Sequence, residues 1–323
     1  MKRAIEVKGL SKVFTVRKTG KGVWGAFKGL FNSECISLEA IKNVELSIAQ
    51  GERVAFIGPN GAGKSTMIKM LTGILYPTMG EICVLGYIPW KERGCLSYEI
   101  GTVFGQRTQL WYHLPPSDTF DLLLKMYDVK ERAYLEELIE LFEIESFLDQ
   151  PVRQLSLGQR MRCELVASLL HKPRILFLDE PTIGLDIEAK LKIRNLLSRL
   201  SRKEGITLFL TSHDTADIEQ VCDRVIVLDK GRIIQDCTLF ELKKKYTTKK
   251  KMTLITNEKM LQIPGIVPLE SDDYRFTCEL TSDQIEPFLH AVFKLTAIKD
   301  VQINDPTMEE IIRDVYGSVS KNH

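Results

Sequence analysis

The sequence lacks any continuous apolar segment long enough to cross a membrane, because a spanning helix needs about 18 or more such residues. The first residues, Met1-Lys-Arg-Ala-Ile-Glu-Val7, also lack the apolar core of a secretory signal peptide. We therefore expect a cytoplasmic protein. If it works at a membrane, another chain must supply the membrane spans.

A dominant charge and a cysteine framework are also missing. The 44 lysines and arginines nearly balance 43 aspartates and glutamates, so the net charge of +1 gives no overall field that would attract nucleic acid. The 7 cysteines never form a Cys-x-x-Cys pair, which argues against both a disulfide framework and a zinc site. These absences favour a reducing cytosol and no nucleic-acid partner.

What the sequence does contain is a glycine-rich turn between an apolar run, Val54 to Ile57, and a segment typical of a helix, Met67 to Leu71. The turn fits G-x-x-x-x-G-K-[ST], the pattern in which backbone N–H groups surround phosphate at a helix N-terminus. In such a loop Lys64 reaches the β- and γ-phosphates and the Ser65 hydroxyl binds Mg²⁺. An ordinary glycine-rich turn is the alternative, but it would not need the complete pattern. The predicted nucleotide-binding residues are Gly58, Pro59, Asn60, Gly61, Ala62, Gly63, Lys64, Ser65 and Thr66.

Two carboxylates follow the next predicted buried strand, Ile175 to Leu178. Near a phosphate and its metal, Asp179 can hold Mg²⁺ while Glu180 accepts a proton from the attacking water. A further strand, Thr207 to Leu210, leads to His213. Open α/β sheets bind ligands at the carboxyl ends of their strands, so the imidazole is expected at the same site, although a lone histidine is more often structural.

A helical pattern from about residue 107 to 172 interrupts the alternation of strands and helices. It includes Leu155-Ser-Leu-Gly-Gln159, which is followed by a run of apolar residues at helical spacing. Ser156 and Gly158 at a helix N-terminus would form a second anion-binding device, although by themselves they indicate only a helix cap.

Three further segments leave alternatives open. Phe14 can stack on a base or pack as a half-buried strand aromatic. The basic stretch 17–35 has apolar residues at helical spacing, which predicts an amphipathic helix on a lipid surface, on a partner or on its own domain. The lysine run Lys243 to Lys251 is typical of a solvated linker, although lysines near a bilayer could also interact with anionic lipid. Residues 246–323, which begin within this run, predict a small α+β domain with a dimerising, regulatory or merely structural role.

Together these residues resemble the nucleotide-binding subunit of an ATP-binding cassette (ABC) transporter. The resemblance covers residues 1 to about 245 and rests on motifs in the family's order: the phosphate loop, Gln106, the signature 155–159, Asp179 with Glu180, the D-loop 184–186 and His213. It implies an α/β fold, with a P-loop ABC ATPase core carrying an antiparallel β subdomain and a helical subdomain, plus the small C-terminal α+β domain. The signature departs from the family in having Leu157 where a glycine is usual.

The resemblance also implies roles for these residues. In such proteins two subunits enclose two ATP molecules, so the signature of one subunit meets the γ-phosphate held by Lys64 of the other. Glu180 would be the base, His213 would hold the γ-phosphate and Asp186 would couple the two sites. The implied catalytic residues are Glu180, His213 and Gln106, the metal ligands Ser65, Gln106 and Asp179, and the ATP-binding residues Phe14, Gly58 to Thr66, Ser156, Gly158, Gln159 and Asp186.

Within the family, a single cassette without spans resembles the ATPase of a two-component exporter of the ABC-2 type, bound peripherally to the inner face of the cell membrane. Such a subunit uses ATP-driven pairing with a second copy or a paralogous ATPase to energise a separate permease, which would determine the substrate. One alternative is a soluble ABC ATPase acting on ribosomes or DNA, which usually carries a second cassette or long coiled coils. The other is a regulatory nucleotide-binding module without turnover, against which Glu180 and His213 argue.

Overall fold

The computed structural model describes residues 2–17, 35–105, 108–247, 249–256, 269–271, 274–295 and 297–320. They form two compact units, Met1–Asp236 and Cys237–His323. The predicted boundary at 245 and 246 differs from this division because a capped helix that begins at Leu239 belongs to the second unit. Within the described ranges, no helix combines the length and the hydrophobicity that crossing a bilayer requires.

The first unit alternates strands and helices along most of its length. Its strands are β1 (Arg3–Arg17), β2 (Cys35–Ala49), β3 (Arg53–Ile57), β4 (Met79–Val84), β5 (Ile100–Phe104), β6 (Ile175–Asp179), β7 (Thr207–Thr211), β8 (Arg224–Asp229) and β9 (Arg232–Thr238). Its helices are α1 (Lys64–Leu71), α2 (Arg93–Leu96), α3 (Pro116–Met126), α4 (Ala133–Leu141), α5 (Leu157–Leu169), α6 (Ile187–Glu204) and α7 (Thr215–Val221), with 3-10 turns at Glu145–Phe147 and Val152–Gln154.

A six-stranded sheet in the order β5-β6-β7-β3-β8-β9 forms the centre of this unit. Its first five strands are parallel, and their continuous apolar runs are buried, as expected of a sheet covered on both faces. Phe209 packs against Phe56 and Phe177, with ring centroids 5.1 and 5.7 Å apart. Parallel pairing brings the carboxyl ends of β3, β6 and β7 to one edge, where the predicted functional loops begin.

A three-stranded antiparallel sheet, β2-β1-β4, packs with α1 against the central sheet. β1 continues as one strand through a bulge around Gly9, where a φ of +57° accompanies a shift in the register with β2. Phe14 pairs with Leu38, and Arg17 pairs with Cys35. The amphipathic helix predicted in 17–35 falls almost wholly on residues 18–34, outside the described residues.

Helices α3, α4 and α5 follow β5, the edge strand of the central sheet, and α3 and α4 each pack on α5. The residues they bury include Phe120, Leu138, Phe142 and Met161. With the two sheets, this confirms the predicted α/β core with an antiparallel β subdomain and a helical segment.

The second unit is a small α+β fold, as predicted. It consists of α8 (Leu239–Tyr246), β10 (Lys249–Thr256), β11 (Glu270–Ser271), β12 (Arg275–Thr281), α9 (Ser282–Leu295), β13 (Ile298–Asn304) and α10 (Met308–Ser320). Its antiparallel sheet has the order β11-β12-β10-β13 and packs its apolar face against Phe288 and Val292 of α9.

The prediction of a linker over the lysine run is wrong. Its first lysines end α8 and its last three begin β10, so all the lysines of the run lie in secondary structure. Two of these lysines form ion pairs with carboxylates that are distant in sequence: Lys250 lies 3.3 Å from Asp305, and Lys251 lies 3.3 Å from Glu310.

Candidate active site

The phosphate loop joins β3 to α1 in a conformation that only its glycines can adopt. Gly63 has a φ of +113°, and a Cβ there would lie 2.6 Å from the carbonyl oxygen of Ala40 on β2. A Cβ on Gly58 would overlap the carbonyl oxygen of Leu228 on β8. Strands β2 and β8 therefore contact the loop from two sides and fix its path over the N-terminus of α1.

Lys64 lies at the floor of this loop with only 7% of its surface exposed. Its ammonium donates to the carbonyl oxygen of Gly58 (2.6 Å) and lies 3.4 Å from His213 Nε2. Burial lowers the pKa of this ammonium, while the nearby carboxylates of Glu180 and Asp179 act to raise it. A cation is thus held where the loop's N–H groups and the helix dipole already favour an anion.

Asp179 and Glu180 end β6 and are fixed by Thr211 on the adjacent strand. Thr211 is the register partner of Asp179, and its hydroxyl donates to Asp179 Oδ1 at 2.6 Å. The N–H of Glu180 donates to the carbonyl oxygen of Thr211 at 3.1 Å. One threonine therefore orients the carboxylate of Asp179 and fixes the backbone of Glu180, a role that sequence patterns did not reveal because it depends on the strand register.

The backbone of Glu180 is strained. Its φ of +58° is left-handed, a region that costs a non-glycine residue about 1–3 kcal/mol. Gly105 packs directly on it: a Cβ on Gly105 would overlap the carbonyl oxygen of Glu180, and the Gly105 N–H donates to the carbonyl oxygen of Asp179 at 2.8 Å. Close backbone packing thus holds the glutamate in this conformation.

Replacing Gly105 by alanine should displace Glu180 and lower both activity and stability. We expect the free energy of unfolding to fall by about 1–3 kcal/mol, as for other overpacked sites, and ATP turnover to fall with it. Denaturant unfolding and a phosphate-release assay measure the two effects. Gly94→Ala is the matched control, since a Cβ there would meet nothing within 4 Å. Equal stability and activity in Gly105→Ala and the native chain would contradict this account.

His213 completes the polar end of the site. Its Nε2 lies 3.0 Å from Glu180 Oε1, so the imidazole stands between the carboxylate and the ammonium of Lys64. Burial raises the pKa of Glu180, and Asp179 adds to this, while His213 and Lys64 act to lower it. A raised pKa suits a carboxylate that accepts a proton near neutral pH.

These groups converge on one cleft of about 690 Å³. It brings together Phe14, Pro59, Asn60, Gly61, Gly63, Lys64, Ser65, Thr66, Asp179, Glu180 and His213 from the predicted set. Leu38 and Ile74 also line it, and sequence reasoning missed them because strand pairing and a turn bring them there. Gln106 lies outside the described residues.

Ser156, Gly158, Gln159 and Asp186 do not line this cleft in the described part of the chain. Ser156 and Gln159 form a capping box at the start of α5, with the Gln159 N–H bonded to Ser156 Oγ at 3.2 Å. Asp186 caps α6 by accepting the N–H of Ala189 at 2.8 Å. The signature and the D-loop thus each begin a helix.

These two helix starts pack against each other. A Cβ on Gly158 would lie 3.0 Å from the Cβ of Ala189, and a Cβ on Gly184 would lie 3.0 Å from Leu157 Cδ2. Leu157 thereby fills the space beside the D-loop glycine, which gives the unusual signature residue a packing role. The signature and the D-loop form one continuous surface separate from the chain's own nucleotide cleft.

Known proteins of similar sequence include many ATP-binding proteins of transporters. The family model described as ABC transporter matches residues 41–183. The uncharacterized ABC transporter ATP-binding protein YcbN of Bacillus subtilis is 33% identical over 208 residues, which cover 64% of this chain and 66% of YcbN, just under two thirds of its length. The daunorubicin resistance ATP-binding protein DrrA3 of Streptomyces coeruleorubidus is 30% identical over 292 residues, covering 86% of this chain and 92% of DrrA3. Other relatives are named as import ATP-binding proteins.

Solved structures show the same fold. The dimeric, post-hydrolysis structure of the ATP-binding cassette MJ0796, bound to ADP and Pi, superimposes with a TM-score of 0.59 at 27% identity. The superposition covers 73% of this chain and 98% of that one.

Proposed function

The chain belongs to the family of ABC transporter ATPases, and from this premise we propose that it hydrolyses ATP to energise a separate transmembrane permease, most simply as the ATPase of an exporter. The observation that carries the proposal is the convergence of Lys64, Asp179, Glu180 and His213 on the phosphate end of one cleft. A cation that binds the phosphates and a residue that orients or deprotonates the attacking group are recurring parts of phosphoryl-transfer sites.

Each residue in the cleft has a defined task in this proposal. Phe14 stacks on adenine, and the phosphate loop with Lys64 holds the phosphates. Glu180 accepts the proton of the attacking water, and His213 bonds both Glu180 and the γ-phosphate. The strained, tightly packed backbone of Glu180 keeps its carboxylate in place without rearrangement during the reaction.

Mg²⁺ fits the residues present. The hydroxyl of Ser65 and the carboxylate of Asp179 line the same cleft, and Mg²⁺ prefers a few oxygen ligands with the rest of its shell filled by water and phosphate. The ion would neutralise charge developing on the phosphates. Thr211 prepares Asp179 for this role by fixing its orientation.

Pairing with a second ATPase subunit follows from the separation of the two motif surfaces. In the capping box Ser156 Oγ acts as an acceptor, for the N–H of Gln159, and a hydroxyl that accepts can also donate its own proton. Since the signature does not line its own cleft in the described residues, we infer that it completes the cleft of a partner, a second copy or a paralogous subunit. The dimeric form of MJ0796 supports this arrangement.

Export is the direction we favour. DrrA3, whose match extends over 86% of this chain, is named for resistance to daunorubicin, an effect that removal of a toxic compound from the cell would produce. The relatives named for import match at most 62% of the chain. The chain would then act at the inner face of the cell membrane. None of the relatives described above is named for action on ribosomes or DNA, so that alternative gains no support.

The test is affinity purification of the full chain from its native membrane in mild detergent. We expect a polytopic membrane protein in stoichiometric amount. The exposed aromatic loop after β5 would contact it, so Trp111→Ala with Tyr112→Ala should lose this protein while retaining ATP binding. Tyr76→Ala, another exposed aromatic, is the control. Recovery of ribosomal proteins or nucleic acid without a membrane protein would overturn the transport function.

A further inference from the structure

Asp217 on α7 is a buried carboxylate that has no part in the chemistry described so far. Only 1% of its surface is exposed, so its oxygens depend on protein donors. Its Oδ2 accepts the hydroxyls of Thr182 and Ser212, both at 2.5 Å, and its Oδ1 accepts Arg194 Nε at 2.6 Å. One side chain therefore joins three separate segments of the chain.

Two of the three donors belong to the loops that carry the hydrolytic groups. Thr182 follows Glu180 by two residues, and Ser212 directly precedes His213. The loops leave adjacent strands, β6 and β7, which are joined at their ends through Thr211, and the loops also meet where His213 approaches Glu180. Asp217 provides a second tie, on the far side of Glu180 from Thr211.

The strain at Glu180 makes this second tie necessary. A residue with a left-handed φ relaxes unless the chain on both sides is fixed. Thr211 and Gly105 fix the upstream side, where Gly105 donates to the carbonyl oxygen of Asp179. Downstream, the buried hydroxyl of Thr182 bonds to Asp217.

The charge of Asp217 is balanced by Arg194 on α6, itself almost fully buried. A second guanidinium nitrogen of Arg194 lies 2.8 Å from Asp214, which also pairs with Lys190 at 2.8 Å. The Asp217 carboxylate is thus bonded to the helix that begins at the D-loop. This network holds the carboxylate in a fixed position, from which it can fix both loops.

We propose that Asp217 is a positioning residue for ATP hydrolysis: by holding Thr182 and Ser212 together, it keeps Glu180 and His213 at hydrogen-bonding distance. The inference rests on the proposed ATPase function. Loss of these contacts should lower the turnover rate and leave the affinity for nucleotide unchanged. The reason is that Asp217 acts on the hydrolytic loops and does not line the cleft in the described residues.

Removing single hydroxyls tests the proposal while leaving the Asp217–Arg194 ion pair intact. Thr182→Val is the primary variant, because Ser212 Oγ also accepts the N–H of Asp214 at 3.0 Å. In the full-length chain with MgATP, we expect kcat to fall about 10-fold with an unchanged KM, within the roughly 100-fold that a 1 Å misplacement costs. Thr182→Ser restores the hydroxyl and should restore kcat. Because loss of either hydroxyl breaks the same link between the two loops, the double variant Thr182→Val with Ser212→Ala should have a kcat little lower than that of Thr182→Val alone.

Ser201→Ala is the matched control. Its buried hydroxyl donates to the carbonyl oxygen of Ile206 at 2.8 Å, at the opposite end of α6 from the D-loop, and its loss should leave kcat unchanged. If the native chain hydrolyses ATP and both Thr182→Val and Ser212→Ala keep its kcat, the positioning role is wrong. A raised KM at constant kcat, or an equal loss of kcat in Ser201→Ala, would also overturn it. A native chain that binds but never hydrolyses ATP would instead overturn the proposed function itself.

Discussion

Replacing Glu180 by glutamine is expected to lower kcat about 1,000-fold, within the range that loss of a general base produces, while ATP still binds. The carboxamide keeps the size of the side chain and can still bond His213 Nε2, now 3.0 Å from Glu180 Oε1, but it cannot accept a proton. Because ATP would persist in the cleft, the paired state of the subunits should accumulate. Steady-state phosphate release and light scattering with MgATP measure the two effects.

Glu188→Gln is the matched control for this substitution. Glu188 is an exposed glutamate that pairs with Lys192 at 3.7 Å on the surface of α6, so its variant should keep the native rate. Hydrolysis at the native rate in Glu180→Gln would show that another group accepts the proton.

Replacing Lys64 by alanine should weaken ATP binding by at least about 100-fold, because removing one partner of a buried charge pair costs several kcal/mol. The ammonium is nearly enclosed, so water cannot substitute for it efficiently. Binding of a fluorescent ATP analogue or titration calorimetry measures the loss, and circular dichroism checks the fold.

Lys91→Ala serves as the control for charge alone, since Lys91 is exposed and does not line the cleft. The two variants have the same net charge but differ in whether they remove the buried cation. Equal affinities for ATP in Lys64→Ala and Lys91→Ala would refute the assignment of Lys64 to the phosphates.

The elements found from sequence are those whose information is local. The phosphate loop carries its glycines, lysine and serine within eight consecutive positions, and the structure shows the positive φ angles that those glycines permit. The meeting of Asp179, Glu180 and His213 was predictable because parallel strands end at a common edge. The helix cap predicted at Ser156 also depends only on neighbouring residues, and the structure completes it as a capping box with Gln159.

The features that sequence did not reveal depend on tertiary contacts. Thr211 orients Asp179 through strand register, and Gly105 matters because of a carbonyl 75 residues away in the chain. The lysine run looked solvated because lysine usually is, yet Lys250 and Lys251 pair with carboxylates that lie far along the sequence. No period or propensity contains that information.

The pairing of Arg17 with Cys35 has a consequence for how this chain can diverge from its relatives. The two residues are register partners in one antiparallel pair of strands, so the connection between the strands starts and ends at neighbouring backbone positions. A short turn could join the same positions without altering the register of Phe14 with Leu38. A connection of a different length could therefore be accommodated there while Phe14 and Leu38, which line the ATP cleft, stay paired.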